Sequence, residues 1–236
     1  MVAASSALIY LHHIRVALSA PSLSHQAYAA IRRMIVRLEL APGAVISEDQ
    51  LQADLGLGRT PIREALQRLV RDQFVTVIPR RGMYVSSIDV AELTLLYETR
   101  AILEPYVTRL ACARGTAEHW AEMRTALDLA RRPGTPAHEL LDHDRTCHEI
   151  VWAAADNRFL TDTLDMLYAQ SDRLWHMYLA DVDDMADAVD EHEEILSALE
   201  AHDSERAALL AEAHIKAFDA QIRSAVRRRL ESPLAD

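Results

Sequence analysis

The chain has 236 residues, half of them apolar, with 25 basic and 36 acidic side chains and a formal net charge of −11. That length exceeds the common single domain, so two domains are expected, and the apolar share excludes a chain without a packed core. No apolar run is long enough to span a bilayer, so a membrane protein is not expected.

The first 21 residues read as an extension outside the folded domains. Val2 to Leu11 is apolar and Ala17-Leu18-Ser19-Ala20 faintly resembles a signal-peptidase site, but no basic residue precedes the run and Pro21 follows the would-be cut. From Ser47 to Val85 the pattern is a helix, a tight turn, a second helix and a hairpin. Ser47 and Gln50 have capping-box spacing ahead of Leu51 and Leu55, and Gly56 ends that helix. After Leu57 and Gly58, the residues Ile62, Leu66 and Leu69 restart a helical stripe whose opening turns carry Arg59, Thr60 and Arg63. Phe74 to Pro79 and Met83 to Ser87 alternate as short strands around the basic turn Arg80-Arg81-Gly82. This is the order of a winged helix-turn-helix. In such proteins the start of the second helix enters the major groove, where guanidinium groups pair with guanine edges or phosphates. Charge agrees: the first 88 residues hold ten arginines and six acids, the remainder fifteen basic residues and thirty acids, so only the first part suits a polyanion.

Ser86-Ser87-Ile88-Asp89 marks the boundary. Asp89 and Glu92 read as a second capping pair, opening a long helix with Leu93, Leu96, Ile102 and Leu103 on its apolar face. Breaks at Gly115-Thr116, Arg131 to Pro136, Asp156-Asn157, Asp181 to Asp187 and His202-Asp203 divide the rest into about six helices, with no strand-like block. Cys112 and Cys147 fit reduced core residues of a cytosolic protein. Asp144 and His148 are four apart and project from one helix face, while His192 and His214 each sit among apolar neighbours at helical spacing. Three imidazoles and a carboxylate make a ligand set suited to zinc, nickel, cobalt, manganese or iron(II). Spacing alone favours the other reading, in which each histidine is a satisfied core residue.

Residues 23 to 85 resemble the DNA-binding domain of the GntR family of bacterial transcription regulators. The matching motifs are Ala41-Pro42-Gly43, Leu55-Gly56-Leu57, Arg59 to Leu66 and Arg80-Arg81-Gly82. The resemblance implies that Arg59, Thr60, Arg63, Arg81 and Gly82 contact a palindromic operator. Gly58 stands where the family usually has a hydroxyl residue, and Asp49 where some members carry a basic one. Residues 91 to 225 resemble the all-helical metal-binding (FCD) effector domain of the FadR-type branch, where Asp-x-x-x-His and single histidines on two later helices bind a metal. Asp144, His148, His192 and His214 match that pattern in order, which implies one divalent transition metal, zinc first among the candidates. Cys147 replaces a common aromatic and points about 100° around the helix from His148, as core filler. Glu98 to Glu104 resembles the first helix of that domain, whose arginine, here Arg100, faces the metal cavity. A metal with open positions beside a guanidinium fork is a receptor for a carboxylate, and Arg173 is a second candidate for the same cavity. The alternative for Arg100 is an intrahelical pair with Glu104 or a surface salt bridge.

The expected chain is mainly α: an extension over residues 1–21, a winged helix-turn-helix over 22–86, and an all-helical effector-binding and dimerisation domain over 87–231. The expected function is that of a cytoplasmic, homodimeric DNA-binding repressor, not an enzyme, that senses a small organic acid through its metal. Two rivals stand beside it: a metal-dependent enzyme fused to a DNA-binding module, and a regulator for which the metal itself is the signal.

Overall fold

The computed structural model describes residues 21–178 and 186–231. The extension read over the first 20 residues and most of the break at Asp181 to Asp187 lie outside the described residues. Leu23–Val36 forms α1, Glu48–Leu55 α2 and Arg59–Arg71 α3, and Val75–Ile78 (β1) pairs antiparallel with Gly82–Val85 (β2). The Ser47 hydroxyl accepts from the Gln50 amide at 3.2 Å, but the Gln50 side chain turns to Asp54, so only half of the capping box forms. Gly56 ends α2 at φ +64°, a conformation that costs glycine least. Gly43, at φ +78°, turns the preceding segment so that Val45 bridges Tyr84 beside the hairpin. Ile62, Leu66 and Leu69 of α3 pack on Ile31 and Ile35 of α1 and on Phe74, closing one small core.

Six helices follow among the described residues: α4 (Leu93–Arg114), α5 (Ala117–Ala130), α6 (Ala137–Ala154), α7 (Arg158–Tyr178), α8 (Ala186–Glu200) and α9 (Ser204–Glu231). A single 3₁₀ turn, Val90–Glu92, precedes α4, with the Asp89 carboxylate accepting from the Ala91 amide. The apolar face expected of α4 needs correction. Ile102 is 73% exposed, and the inward stripe runs through Tyr97, Arg100, Glu104, Val107 and Ala111. Two charged side chains occupy the buried face because they neutralise each other there, which hydrophobic periodicity does not register. Cys112 and Cys147 are free and buried, as expected.

The first core sits on α7. Ala169 of α7 is buried within it, and Arg32 of α1 binds both the carboxylate and the carbonyl of Asp165 at 2.6 Å. Arg37 reaches Asp142 of α6 at 2.8 Å, and Gln170 donates to the Asp72 carbonyl at 3.3 Å. The Arg173 guanidinium donates to the Ser86 carbonyl. Motion in α6 or α7 therefore bears directly on the orientation of α3.

Candidate functional site

Asp144 and His148 come from α6, His192 from α8 and His214 from α9, and one ligand atom of each lies within 4.8 Å of the others. All four are buried. Asp144 Oδ1, His148 Nε2 and His214 Nε2 have no hydrogen-bond partner although fully enclosed. His214 Nε2 lies 3.5 Å from Asp144 Oδ1 and His148 Nε2 lies 3.8 Å from the other oxygen, Asp144 Oδ2, both too long for hydrogen bonds. Orphaned buried polar atoms are costly, and this cluster of one carboxylate and three imidazoles is one that could hold a metal ion.

The far side of two imidazoles faces a carboxylate. His148 Nδ1 lies 3.4 Å from Glu104 and His214 Nδ1 2.7 Å from Glu191, whereas His192 Nδ1 lies 3.0 Å from the Ala188 carbonyl and 3.5 Å from Asp144 Oδ1. For His148 and His214 such partners favour a proton on Nδ1 and leave Nε2 facing the cluster. The Tyr168 hydroxyl donates to Asp144 Oδ2 at 2.6 Å. Burial would raise the Asp144 carboxyl, but His214, His148 and His192 hold it below the usual carboxylate range. Burial, with His214 alongside, pulls His192 down to about 3; for His214 burial is outweighed by Asp144 and Glu191, which raise it to about 9. Glu104, Glu191 and Tyr168 escaped sequence reasoning as partners of the ligands. For Glu191 the only signal was adjacency to His192.

Arg100 is 2% exposed and donates to Glu104 at 2.9 Å and to Ser171 at 3.1 Å, so the intrahelical pair is formed. The same Glu104 faces His148, which places Arg100 one side chain from the histidine cluster. Arg173 is brought elsewhere: its bond to Ser86 places it at the junction ahead of α4, and its Nε has no partner. Arg59 and Arg63 are exposed at the start of α3, beside Asp49 (3.5 Å) and Glu48 (2.7 Å). Thr60, Arg81 and Gly82 are exposed too, with Gly82 at φ +106° in the hairpin turn. Gly58 caps α3 without a side-chain bond, leaving its first amides open to an anion.

Asp172 on α7 is another buried carboxyl, pushed up to about 7 by burial, with Oδ1 unpartnered, Arg145 at 3.9 Å and His176 at 3.4 Å. The folded chain then holds a proton that the unfolded chain releases near pH 4. Its carboxyl favours folding least above pH 7, and the chain gains stability as pH falls from 7 towards 4. Asp172→Asn should therefore raise stability at pH 8, on the order of 3 kcal/mol, and change little at pH 4.5. Thermal unfolding of both chains at the two pH values checks this, and equal shifts at both would refute it.

Residues 23–85 match the family described as bacterial regulatory proteins, gntR family, and residues 95–217 match the FCD domain. The Nta operon transcriptional regulator of Aminobacter aminovorans is 31% identical over 195 residues, 82% of this chain and 91% of that protein. The HTH-type transcriptional repressor RspR of Escherichia coli K12 is 26% identical over 203 residues, 85% of this chain and 89% of that protein. Among solved structures, E. coli McbR/YncC shares the fold with a TM-score of 0.76 at 22% identity, over 87% of this chain and 99% of that one.

Proposed function

Since the chain belongs to the gntR family of bacterial regulatory proteins and carries an FCD domain, which makes it a DNA-binding transcriptional regulator, we propose that it is a homodimeric, cytoplasmic repressor sensing a small organic acid through a metal at Asp144, His148, His192 and His214. In this reading residues 22–86 bind the operator and residues 87–231 bind the effector and dimerise. The carrying observation is the convergence of unpartnered ligand atoms in a site whose outer partners are in place. RspR, named a repressor, supports the sign of regulation. A second copy is expected along α4, where Leu95, Ile102 and Tyr106 recur at helical spacing and are 63%, 73% and 52% exposed.

The two voids touching the cluster measure about 10 Å³ each, room for about one water. So enclosed a site suits sensing better than turnover. A bound metal would supply a Lewis-acidic position for a ligand oxygen. Arg100 would take the second oxygen by exchanging Glu104 for the ligand, and α4 must shift to make room. From Asp144 a series of contacts leads outward: Tyr168 bonds Asp144, Arg145 lies over the Tyr168 ring and binds Asp165, and Asp165 holds Arg32 beneath the first core. A shift at the site can thus reorient α3. Coupling of about 1–3 kcal/mol changes operator affinity five- to 150-fold.

Gel-shift titration tests both ends. Arg63→Ala should weaken operator binding by about 1–3 kcal/mol, since its surface pair with Glu48 is easily exchanged for DNA. Arg100→Ala should keep DNA affinity yet lose the response to an effector found by screening. Full affinity in Arg63→Ala removes that arginine from the interface, and an undiminished response in Arg100→Ala removes the carboxylate clamp.

A further inference from the structure

A cavity among the described residues lies away from the histidines. It measures about 370 Å³ and lies where the end of α3, the segment ahead of α4, α4 itself and α7 meet. Its apolar walls include Leu96 of α4 and Leu167 and Leu174 of α7. Drug-sized ligands occupy sites of this volume range, largely apolar with a few polar groups. The voids at the metal ligands, at about 10 Å³, do not approach it.

The charged lining favours one class of ligand. Asp72, Asp89 and Glu92 face a single cation, Arg71. Asp72 already accepts from Tyr28 and lies 3.6 Å from Arg68, and one oxygen of Asp89 is taken by the Ala91 amide. Glu92 has no ion pair among the described residues. The cavity is thus a leucine-lined slot with a negative rim, complementary to an apolar body bearing an ammonium group.

We propose that this cavity is a second small-molecule site of the regulator, that it takes amphipathic organic cations, and that its occupant sets the angle between the DNA-binding core and the helices. The proposal goes beyond the metal-centred reading and needs no metal. An occupant touches Asp72 and Gln73 just after α3 on one side and Leu96, Leu167 and Gln170 on the other. At the cavity the junction is spanned by Gln170 to the Asp72 carbonyl and Arg173 to the Ser86 carbonyl. A ligand wedged there acts on one side of a junction that the Arg32–Asp165 pair holds on the other, so differential binding can shift a two-state orientation about that pair.

Isothermal titration of the full chain with octylammonium, octanoate and octan-1-ol separates charge from chain length. Octylammonium should bind saturably, one per chain and at least about tenfold tighter than octanoate, with Glu92→Gln removing most of that preference. Thr99 is exposed on the cavity wall, on the α4 face that also carries Leu95 and Ile102, so Thr99→Trp fills the space without entering the buried core and should abolish binding while the native oligomeric state is kept in sedimentation. His192→Ala should bind octylammonium like the native chain, which distinguishes this site from the metal centre. Operator affinity should change about fivefold with octylammonium in the native chain and not in Thr99→Trp. No saturable amine binding, octanoate binding as tightly, or undiminished binding in Thr99→Trp would overturn the proposal. So would a Thr99→Trp chain that changes oligomeric state in sedimentation while the native chain ignores the amine, since the cavity would then belong to a contact between copies.

Discussion

His192→Ala is expected to purify with most of its transition metal gone, against close to one ion per chain for the native protein. Asp144, His148 and His214 would offer three ligand atoms from two helices, and the third helix, α8, would no longer be tied to them. Loss of an outer partner alone costs about 10–100-fold in metal affinity, so loss of a direct ligand should cost more. An ion that binds only the folded chain stabilises it, by about 2.7 kcal/mol at a hundredfold excess over its dissociation constant. A chelator should therefore lower the melting temperature of the native protein and leave that of His192→Ala almost unchanged. Elemental analysis and thermal unfolding read the two effects together. Native protein and His192→Ala holding equal metal, or an equal response to the chelator, would return the four residues to the ordinary core.

The helical order was legible because its signals are local. Gly56, Ser47 and the stripe of Ile62, Leu66 and Leu69 specify a helix-turn-helix from neighbours in sequence, and the hairpin follows from alternation around Arg80-Arg81-Gly82. The four candidate ligands were legible as a set only through resemblance, since spacing links Asp144 to His148 but neither to His192 or His214. Periodicity misled at Ile102, an apolar residue on the outer face of α4, because Arg100 and Glu104 hold the inner face. Arg173 went astray for a related reason. Its partner is a backbone carbonyl, Ser86, 87 residues away, and carbonyls leave no trace in a side-chain pattern. The outer partners Glu104, Glu191 and Tyr168 act across helices at separations the chain alone does not encode.

Glu104→Ala is expected to be the most destabilising single change around the site. One carboxylate oxygen accepts from Arg100 at 2.9 and 3.3 Å; the other accepts from Trp152 Nε1 at 3.1 Å and lies 3.4 Å from His148 Nδ1. Glu104 and Arg100 are each about 2% exposed. Alanine would leave a buried guanidinium with only Ser171, a buried indole N–H with nothing and His148 without its outer partner. Breaking a buried pair from one side typically costs about 3–5 kcal/mol, because the remaining charge is uncompensated. For a chain of this size that is a fall of about 6–20 °C in melting temperature. Glu104→Gln, which keeps the shape and one acceptor, should lose less. The pH dependence carries a further check. Burial would raise the Glu104 carboxyl, but His148 and Arg100 hold it below the usual range, so its contribution is present above the ordinary carboxylate pKa and is lost only in strong acid. The deficit of Glu104→Ala should therefore stay level from pH 5 to pH 8, in contrast to the gain of Asp172→Asn, which grows over the same interval. A deficit that vanished at pH 5, or a melting temperature within about 2 °C of native throughout, would mean that Glu104 does not hold Arg100 and His148 in place.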